Sequence, residues 1–378
     1  PPEVIPINDL SRRLPSYDQE MTALSTAVRS GSYFGGPFTR AFESSFAELI
    51  GVSDCVGVAS GTDALALALA GLGVRAGSTV ITTANAGYYS TSAILRLGAR
   101  PVYADVLPDT AMMDPKSLQE VARITPPDVV LVTHMYGGTA QIREIFELCR
   151  RFGCRLLEDC AHSAGARVDA GMVGSFGDLA AFSFYPTKNL GALGDAGAIL
   201  GADPSMMREV RALAQYGWSS RFVVSRPGGT NSRLDEIQAA VLGARLHVLP
   251  SLNDARRTII AQYRDALAGW PIELYFEDSP SHVAHLAVLR CSQRDDLRRA
   301  LTADGIASEI HYPVPDHLQP VSQGFVNPIA LPVTENLVHS ILTIPCFPTM
   351  TSQEVDEVCR GLISAAERVY GEATAVSP

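Results

Sequence analysis

An α/β fold, with a large domain around a mostly parallel sheet and a smaller α+β domain after it, is predicted for this 378-residue chain by three features. Short apolar runs alternate with helix-like segments from about residue 55 to about residue 200, the pattern of strands joined by crossover helices. Polar residues suited to chemistry gather just after those runs, where ligands sit in open parallel sheets. Beyond about residue 270 the alternation gives way to a few strand-like runs around amphipathic helices. The expected division is residues 1–249 for the large domain, N-terminal segment included, and residues 250–378 for the small one.

In chain order, Cys55–Ala59, Val80–Thr83, Pro101–Asp105, Val129–Thr133, Arg155–Glu158, Leu179–Phe184 and Ala196–Leu200 read as strands. Between them, Ala64–Ala70, Ser90–Leu97, Pro115–Arg123 and Gln141–Arg151 read as helices. Asp114 and Pro115 mark the start of the third, as N-cap and first helical position. Pro204–Tyr216 is a further helix, followed by a loop rich in Gly, Ser and Arg up to Thr230. Asn231–Leu249 and Leu252–Leu267 are two longer helices meeting near Pro250. In the smaller domain Ala284–Arg290 and Ser308–His311 are expected strands, Arg294–Asp304 an amphipathic helix and Gln353–Tyr370 the last helix. Glu372–Pro378 is expected to fray.

Composition narrows the function classes. A net charge of −10 and a pI near 5.3 argue against nucleic acid or an anionic membrane as the main partner. No stretch approaches the roughly 20 apolar residues of a membrane span. Pro1 to Leu14 holds no basic segment followed by an apolar one, so no signal peptide is read there. The seven cysteines are odd in number and lack metal-ligand spacing, so they read as reduced residues of a cytoplasmic protein, with no metal expected.

The basic residues carry more information. Of 30, 28 are Arg and two are Lys, Lys116 and Lys188. A surface cation tolerates exchange of Lys for Arg, but a guanidinium stays protonated and cannot condense with an aldehyde, whereas an amine can. A Lys kept in so Arg-biased a chain is therefore a candidate for chemistry. Lys116 sits in an exposed helix start and reads as a solvated charge. Lys188 lies in Phe182-Ser183-Phe184-Tyr185-Pro186-Thr187-Lys188-Asn189-Leu190-Gly191, just past a strand and ahead of a Gly-rich loop that lets a bulky ligand approach.

Three further segments stand at strand ends. Ser60-Gly61-Thr62-Asp63 opens an Ala/Leu-rich helix, whose free N–H groups and dipole suit a phosphate; by itself it reads equally as an ordinary helix cap. It is neither a Walker loop nor a dinucleotide fingerprint, which disfavours a nicotinamide enzyme. Glu158-Asp159-Cys160-Ala161-His162 places acids at the end of a buried strand, where a carboxylate needs a cationic partner. A protonated pyridine nitrogen and a paired structural Asp both fit, and His162 reads either as a ligand contact or as a neutral core residue. Asn231-Ser232-Arg233 supplies a polar clamp or a helix cap.

In this order, SGTDAL, THMYGG, EDCAH, FSFYPTKNLGALGDAG, NSRLDEIQAA and HYPVPDHLQP resemble the DegT/DnrJ/EryC1/StrS family of sugar aminotransferases over nearly the whole chain. The resemblance implies the fold of fold-type I enzymes dependent on pyridoxal 5'-phosphate, working as a homodimer with shared active sites. It implies that Lys188 holds the cofactor as a Schiff base and serves as general acid and base. Asp159 would face the pyridine nitrogen, and His162, where relatives usually have Gln, would lie near the ring hydroxyl. Gly61, Thr62 and Ser183 would hold the phosphate, with Asn231 reaching it from the neighbouring subunit. The family's aromatic over the ring aligns near Gly87, and Tyr88 is the candidate for that stacking role.

The implied reaction transfers an amino group from L-glutamate, through pyridoxamine 5'-phosphate, to a nucleotide-linked keto sugar. The YPTKNLGALGD and HYPVPDHLQP segments look most like the group acting at C3 of a dTDP-3-keto-6-deoxyhexose in antibiotic deoxysugar pathways. The alternatives are a C4-aminotransferase, a sugar dehydratase, which Lys188 argues against because such relatives carry His there, and a non-catalytic cofactor-binding regulator.

Overall fold

The computed structural model describes residues 4–371. Two helices that are not among the expected elements come first, α1 (Tyr17–Ser30) and α2 (Pro37–Ile50). Phe42, Phe46 and Ile50 give α2 a buried apolar face.

The alternating stretch then runs β1 (Asp54–Val58), α3 (Gly61–Gly71), β2 (Thr79–Thr83), α4 (Tyr89–Arg96), β3 (Arg100–Ala104), α5 (Pro115–Ile124), β4 (Val129–Thr133), α6 (Ile142–Phe152) and β5 (Arg155–Asp159). A short hairpin, β6 (Arg167–Val168) with β7 (Gly171–Met172), precedes β8 (Leu179–Ser183) and β9 (Gly197–Gly201). Next come α7 (Pro204–Leu213), the hairpin β10 (Trp218–Ser220) with β11 (Val223–Val224), α8 (Glu236–Leu246) and α9 (Leu249–Ala266). The chain ends with β12 (Glu273–Leu274), β13 (Ala287–Arg290), α10 (Arg294–Ala303), α11 (Pro332–Ser340), β14 (Ile341–Ile344) and α12 (Ser352–Tyr370). Side-chain caps start several helices: Ser60 accepts from the N–H of Asp63, Asp114 from that of Lys116, and Asp235 from that of Gln238. Each such cap contributes about 1 kcal/mol.

Seven strands form one sheet in the order β1-β9-β8-β5-β4-β2-β3. Every neighbouring pair is parallel except the two that involve β9, so all strands but β9 point the same way. Along β4, Val129 and Leu131 pack with α3, α4 and α7, while Val130 and Val132 pack with α5 and α6. That two-residue alternation buries both faces of the sheet. Farther along the second face, Ala180 and Phe182 of β8 meet α2 and α8. A three-stranded antiparallel sheet, β12-β13-β14, packs with α9, α10 and α12 around Tyr263, Leu289, Leu297, Leu342 and Val358. Among the described residues no helix is long and apolar enough to cross a membrane.

Two expectations need correction. Ser308–His311 is not a strand: Glu309 exchanges two backbone hydrogen bonds with Thr343, at 3.0 and 2.7 Å, and pairing stops there. Pro313 and Pro315 follow closely and lack the N–H a ladder requires. The helix expected from Asn231 begins at Glu236. The residues before it are spent on the sheet edge: Ser232 Oγ accepts the Ala59 N–H at 3.0 Å and the Leu234 N–H donates to Gly57. The fraying expected of Glu372–Pro378 lies outside the described residues.

Candidate active site

A cavity of about 500 Å³ opens at the carboxyl edge of the large sheet. Five strand ends contribute: Ser60, Gly61 and Thr62 after β1, Ala86 after β2, Thr133 at the end of β4, Asp159 at the end of β5, and Ser183 at the end of β8. Parallel topology gathers these residues, because all the strands named point to the same edge.

At one end the N-terminus of α3 meets Ser183. A side chain at Gly61 would bring a Cβ within 2.6 Å of Ser183 Cβ, so only glycine lets the helix terminus come this close to β8. The result is a small cradle of first-turn N–H groups and two hydroxyls, from Thr62 and Ser183, at the positive end of a helix.

Deeper in, Asp159 is 5% exposed and accepts two hydrogen bonds, from Thr133 Oγ1 at 3.2 Å and the Ala161 N–H at 3.1 Å. Burial holds its carboxyl above the usual carboxylate range, opposed by the Ala161 N–H and by Lys188. Lys188 lies in the loop by which the chain reverses from β8 into the antiparallel β9. That loop is closed by hydrogen bonds from Phe184 N–H to Ala196 O and from Ala192 N–H to Phe184 O. Burial pushes the Lys188 amine down to about 8, with Asp159 pulling the other way. A minor fraction of it, far more than for an ordinary lysine, is therefore neutral and nucleophilic near physiological pH.

His162 lines the same cavity, and its Nδ1 accepts the Tyr136 N–H at 3.3 Å. Burial, then the charge of Lys188, holds this imidazole well below its ordinary range, so it is neutral. The structure thus brings Gly61, Thr62, Asp159, His162, Ser183 and Lys188 together. Asn231 is exposed and lies outside this cavity.

Tyr88 does not line the cavity either. Its backbone is left-handed at φ 71°, and its N–H is held by Asp316 at 2.9 Å, which leaves the next residue, Tyr89, at the cavity wall. At Gly87, φ is +73° and a Cβ would stand 2.8 Å from the ring of Tyr312. Tyr312 therefore occupies the room that a side chain at 87 would need, and it lines the cavity with Tyr89, their ring centroids 6.0 Å apart.

Sequence reasoning missed Thr133, Tyr89, His285, His311 and Tyr312. Thr133 was within reach, since it ends a recognised strand beside Asp159. His311 and Tyr312 open the HYPVPDHLQP segment, to which no site role was given, and no local pattern points to His285. One further buried group, His134, Glu158 and Cys160, keeps its ligand atoms within 4.8 Å of one another. Both ring nitrogens of His134 are engaged there, Nδ1 by the Ala140 N–H at 3.0 Å and Nε2 by Glu158 at 3.2 Å. It is a hydrogen-bonded support beneath the strand ends.

Known proteins resemble this chain in sequence and fold. The sequence is 39% identical over 348 residues to the erythromycin biosynthesis sensory transduction protein EryC1 of Saccharopolyspora erythraea, covering 91% of this chain and 94% of that protein. It is 38% identical over 352 residues to dTDP-3-amino-3,4,6-trideoxy-alpha-D-glucose transaminase of Streptomyces venezuelae, covering 92% of each. The crystal structure of S. venezuelae DesV in complex with a ketimine intermediate superposes with a TM-score of 0.91 and 38% identity, over 97% of this chain and all of that one. The profile of the DegT/DnrJ/EryC1/StrS aminotransferase family matches residues 16–363, and with the cavity at the sheet edge and relatives alike over nine-tenths of their length, this chain belongs to that family.

Proposed function

We propose that this aminotransferase moves an amino group from L-glutamate to C3 of a dTDP-3-keto-6-deoxyhexose in antibiotic deoxysugar biosynthesis. The observation that carries the reading is the convergence of Lys188, Asp159 and the Gly61–Thr62–Ser183 cradle on one cavity. The C3 assignment is supported by likeness to the Streptomyces venezuelae transaminase, whose name specifies a 3-amino sugar.

The residues fit pyridoxal 5'-phosphate. The cradle would take the phosphate, and Asp159, short of a full cationic partner, would take the protonated ring nitrogen and regain its charge there. His162 would stand at the ring hydroxyl, donating from Nε2. When bound, the cofactor supplies an aldehyde that condenses with amines and a ring that takes up an electron pair. Lys188 would anchor it, and once released would move the proton of the donor α-carbon to C4' as a neutral amine. Tyr89 and Tyr312 line the same cavity and would take the aromatic contact with the ring.

A homodimer in the cytoplasm completes the reading. The hairpin β10–β11 exposes Phe222, Val223 and Val224, an apolar surface that suits a second copy of the chain. Asn231, exposed at the foot of that hairpin, would then reach the phosphate of the neighbouring site.

The test is the near-visible absorbance of the purified protein with cofactor, before and after L-glutamate, for the wild type and Lys188→Ala. A band that bleaches with glutamate and is altered or lost in the variant is the expected result. Absence of any such band after reconstitution would overturn the reading. A panel of 3-keto and 4-keto dTDP sugars then decides regiochemistry, with product only from the 4-keto sugar refuting C3.

A further inference from the structure

Asn189, the residue after Lys188, is 7% exposed, and its amide joins three segments. Nδ2 donates to Asn253 Oδ1 at 2.7 Å and to the backbone oxygen of Val283 at 2.8 Å, while Oδ1 faces His285 Nδ1 at 2.9 Å. A backbone carbonyl can only accept, so the NH2 of Asn189 lies towards Val283 and its oxygen towards His285. That oxygen can only accept in turn, so Nδ1 of His285 carries the proton. The ring is 4% exposed and lines the Lys188 cavity.

A second proton on His285 is opposed by burial and by the groups around it: His162, Lys188, Arg256, whose Nη1 donates to the His285 carbonyl, and His311. His285 is therefore neutral with a bare Nε2. His162 is the reverse. Its Nδ1 accepts the Tyr136 N–H, so its Nε2 bears the proton. The two rings, which both line the cavity, lie 4.5 Å apart at 45°, one with a protonated Nε2 and the other with a bare one.

We infer that Asn189 and His285 are positioning residues for Lys188: the amide fixes the tautomer of His285, and its Nε2 accepts a hydrogen bond from the released Lys188 amine, orienting that amine's lone pair. The inference rests on the aminotransferase reading above. It gives the buried amide next to the reactive lysine a role, since the same bonds tie the Lys188 loop to α9 through Asn253.

The test uses the holoenzyme converted with L-glutamate, in which Lys188 is a free amine. Nitrogen NMR of the imidazoles should show the proton on Nδ1 of His285 and on Nε2 of His162; the opposite assignment at His285 overturns the proposal. His285→Asn keeps a donor to Asn189 but removes the cavity acceptor, whereas His285→Gln carries an amide oxygen towards the place of Nε2. The expected result for His285→Asn is a kcat about tenfold lower, with KM for glutamate within about twofold and an unchanged thermal midpoint. The pH midpoint of the kcat profile should move by roughly half a unit, and His285→Gln should reverse most of both changes. If both variants lose stability and activity together while the pH midpoint stays put, His285 is structural and the proposal fails. A wild type without a glutamate-sensitive band sinks the aminotransferase reading instead, so the two failures are distinguishable.

Discussion

Glu158 and Asp159 are neighbours at the end of β5, yet the two sides of the sheet treat them oppositely. Side chains alternate along a strand, so one acid faces the loop that follows the β6–β7 hairpin and the other faces the cavity. Glu158 receives the N–H groups of Gly174, Phe176 and Gly177 at 2.7 to 2.9 Å, and His134 besides. Asp159 receives only a hydroxyl and one N–H, both beyond 3.0 Å. A buried carboxylate with four donors is complete and serves the fold. One with two is incomplete, and its raised pKa marks the cation it lacks. Donor count, rather than burial, separates the structural acid from the candidate functional one.

The contrast can be broken or sharpened by substitution. The largest effect belongs to the cavity side: Lys188→Ala should lower the turnover of glutamate by roughly 10⁴-fold. This is measured in single turnovers with added cofactor, and retention of even a tenth of the activity would refute its role. Next comes the fold side. Glu158→Gln turns an NH2 towards N–H donors and should cost roughly 3 kcal/mol of stability in urea unfolding, with kcat per folded molecule little changed. Asp159→Asn should do the reverse, lowering kcat by about 10²-fold while the urea midpoint hardly moves. If Asp159→Asn proves the more destabilising of the pair, the contrast collapses.

The smallest effect is also the sharpest. The neutral amine is the nucleophile, so capture of cofactor by the cofactor-free protein should rise with pH to a plateau, with its midpoint near the Lys188 value of about 8. Asp159 raises that value, so Asp159→Asn should move the midpoint lower, whereas Glu158→Gln should leave it in place.

A second pH effect tests the contact between Asp316 and the start of α4. Asp316 accepts from the Tyr88 N–H and from Thr91 Oγ1 at 2.5 Å, and burial pushes its carboxyl up to about 7. The folded state thus holds this proton more tightly than the unfolded chain. Its contribution is complete below pH 4 and is lost as pH rises through 7. Asp316→Asn, neutral throughout, should flatten that part of the stability curve in urea titrations at pH 5 and pH 8.

Much of the large sheet was legible because periodicity is local. Val129–Thr133 coincides with β4, and the other six strands shift by a residue or so at one or both ends. Helix α2 escaped notice because its apolar face is interrupted by polar residues and completes itself only against α8 and the sheet, and α1 because it buries only Glu20 and Ala27. The cavity was half legible. Lys188 stood out by the scarcity of lysine, and Gly61, Asp159 and Ser183 by their places at strand ends. His285, His311 and Tyr312 lie about a hundred residues or more beyond Lys188 and follow no strand-end rule.

By itself, then, the sequence determined the alternation that builds the sheet, the candidate amine at Lys188 and the edge on which it lies. These follow from side-chain type and short-range spacing. Only the tertiary structure decided how many donors each of the two adjacent acids receives, that Tyr312 rather than Tyr88 fills the space beside Gly87, and which nitrogen of His285 holds its proton. Those are matters of what stands opposite a group in space, and a hydrogen bond or a steric contact between residues 96 apart leaves no trace in the spacing of either.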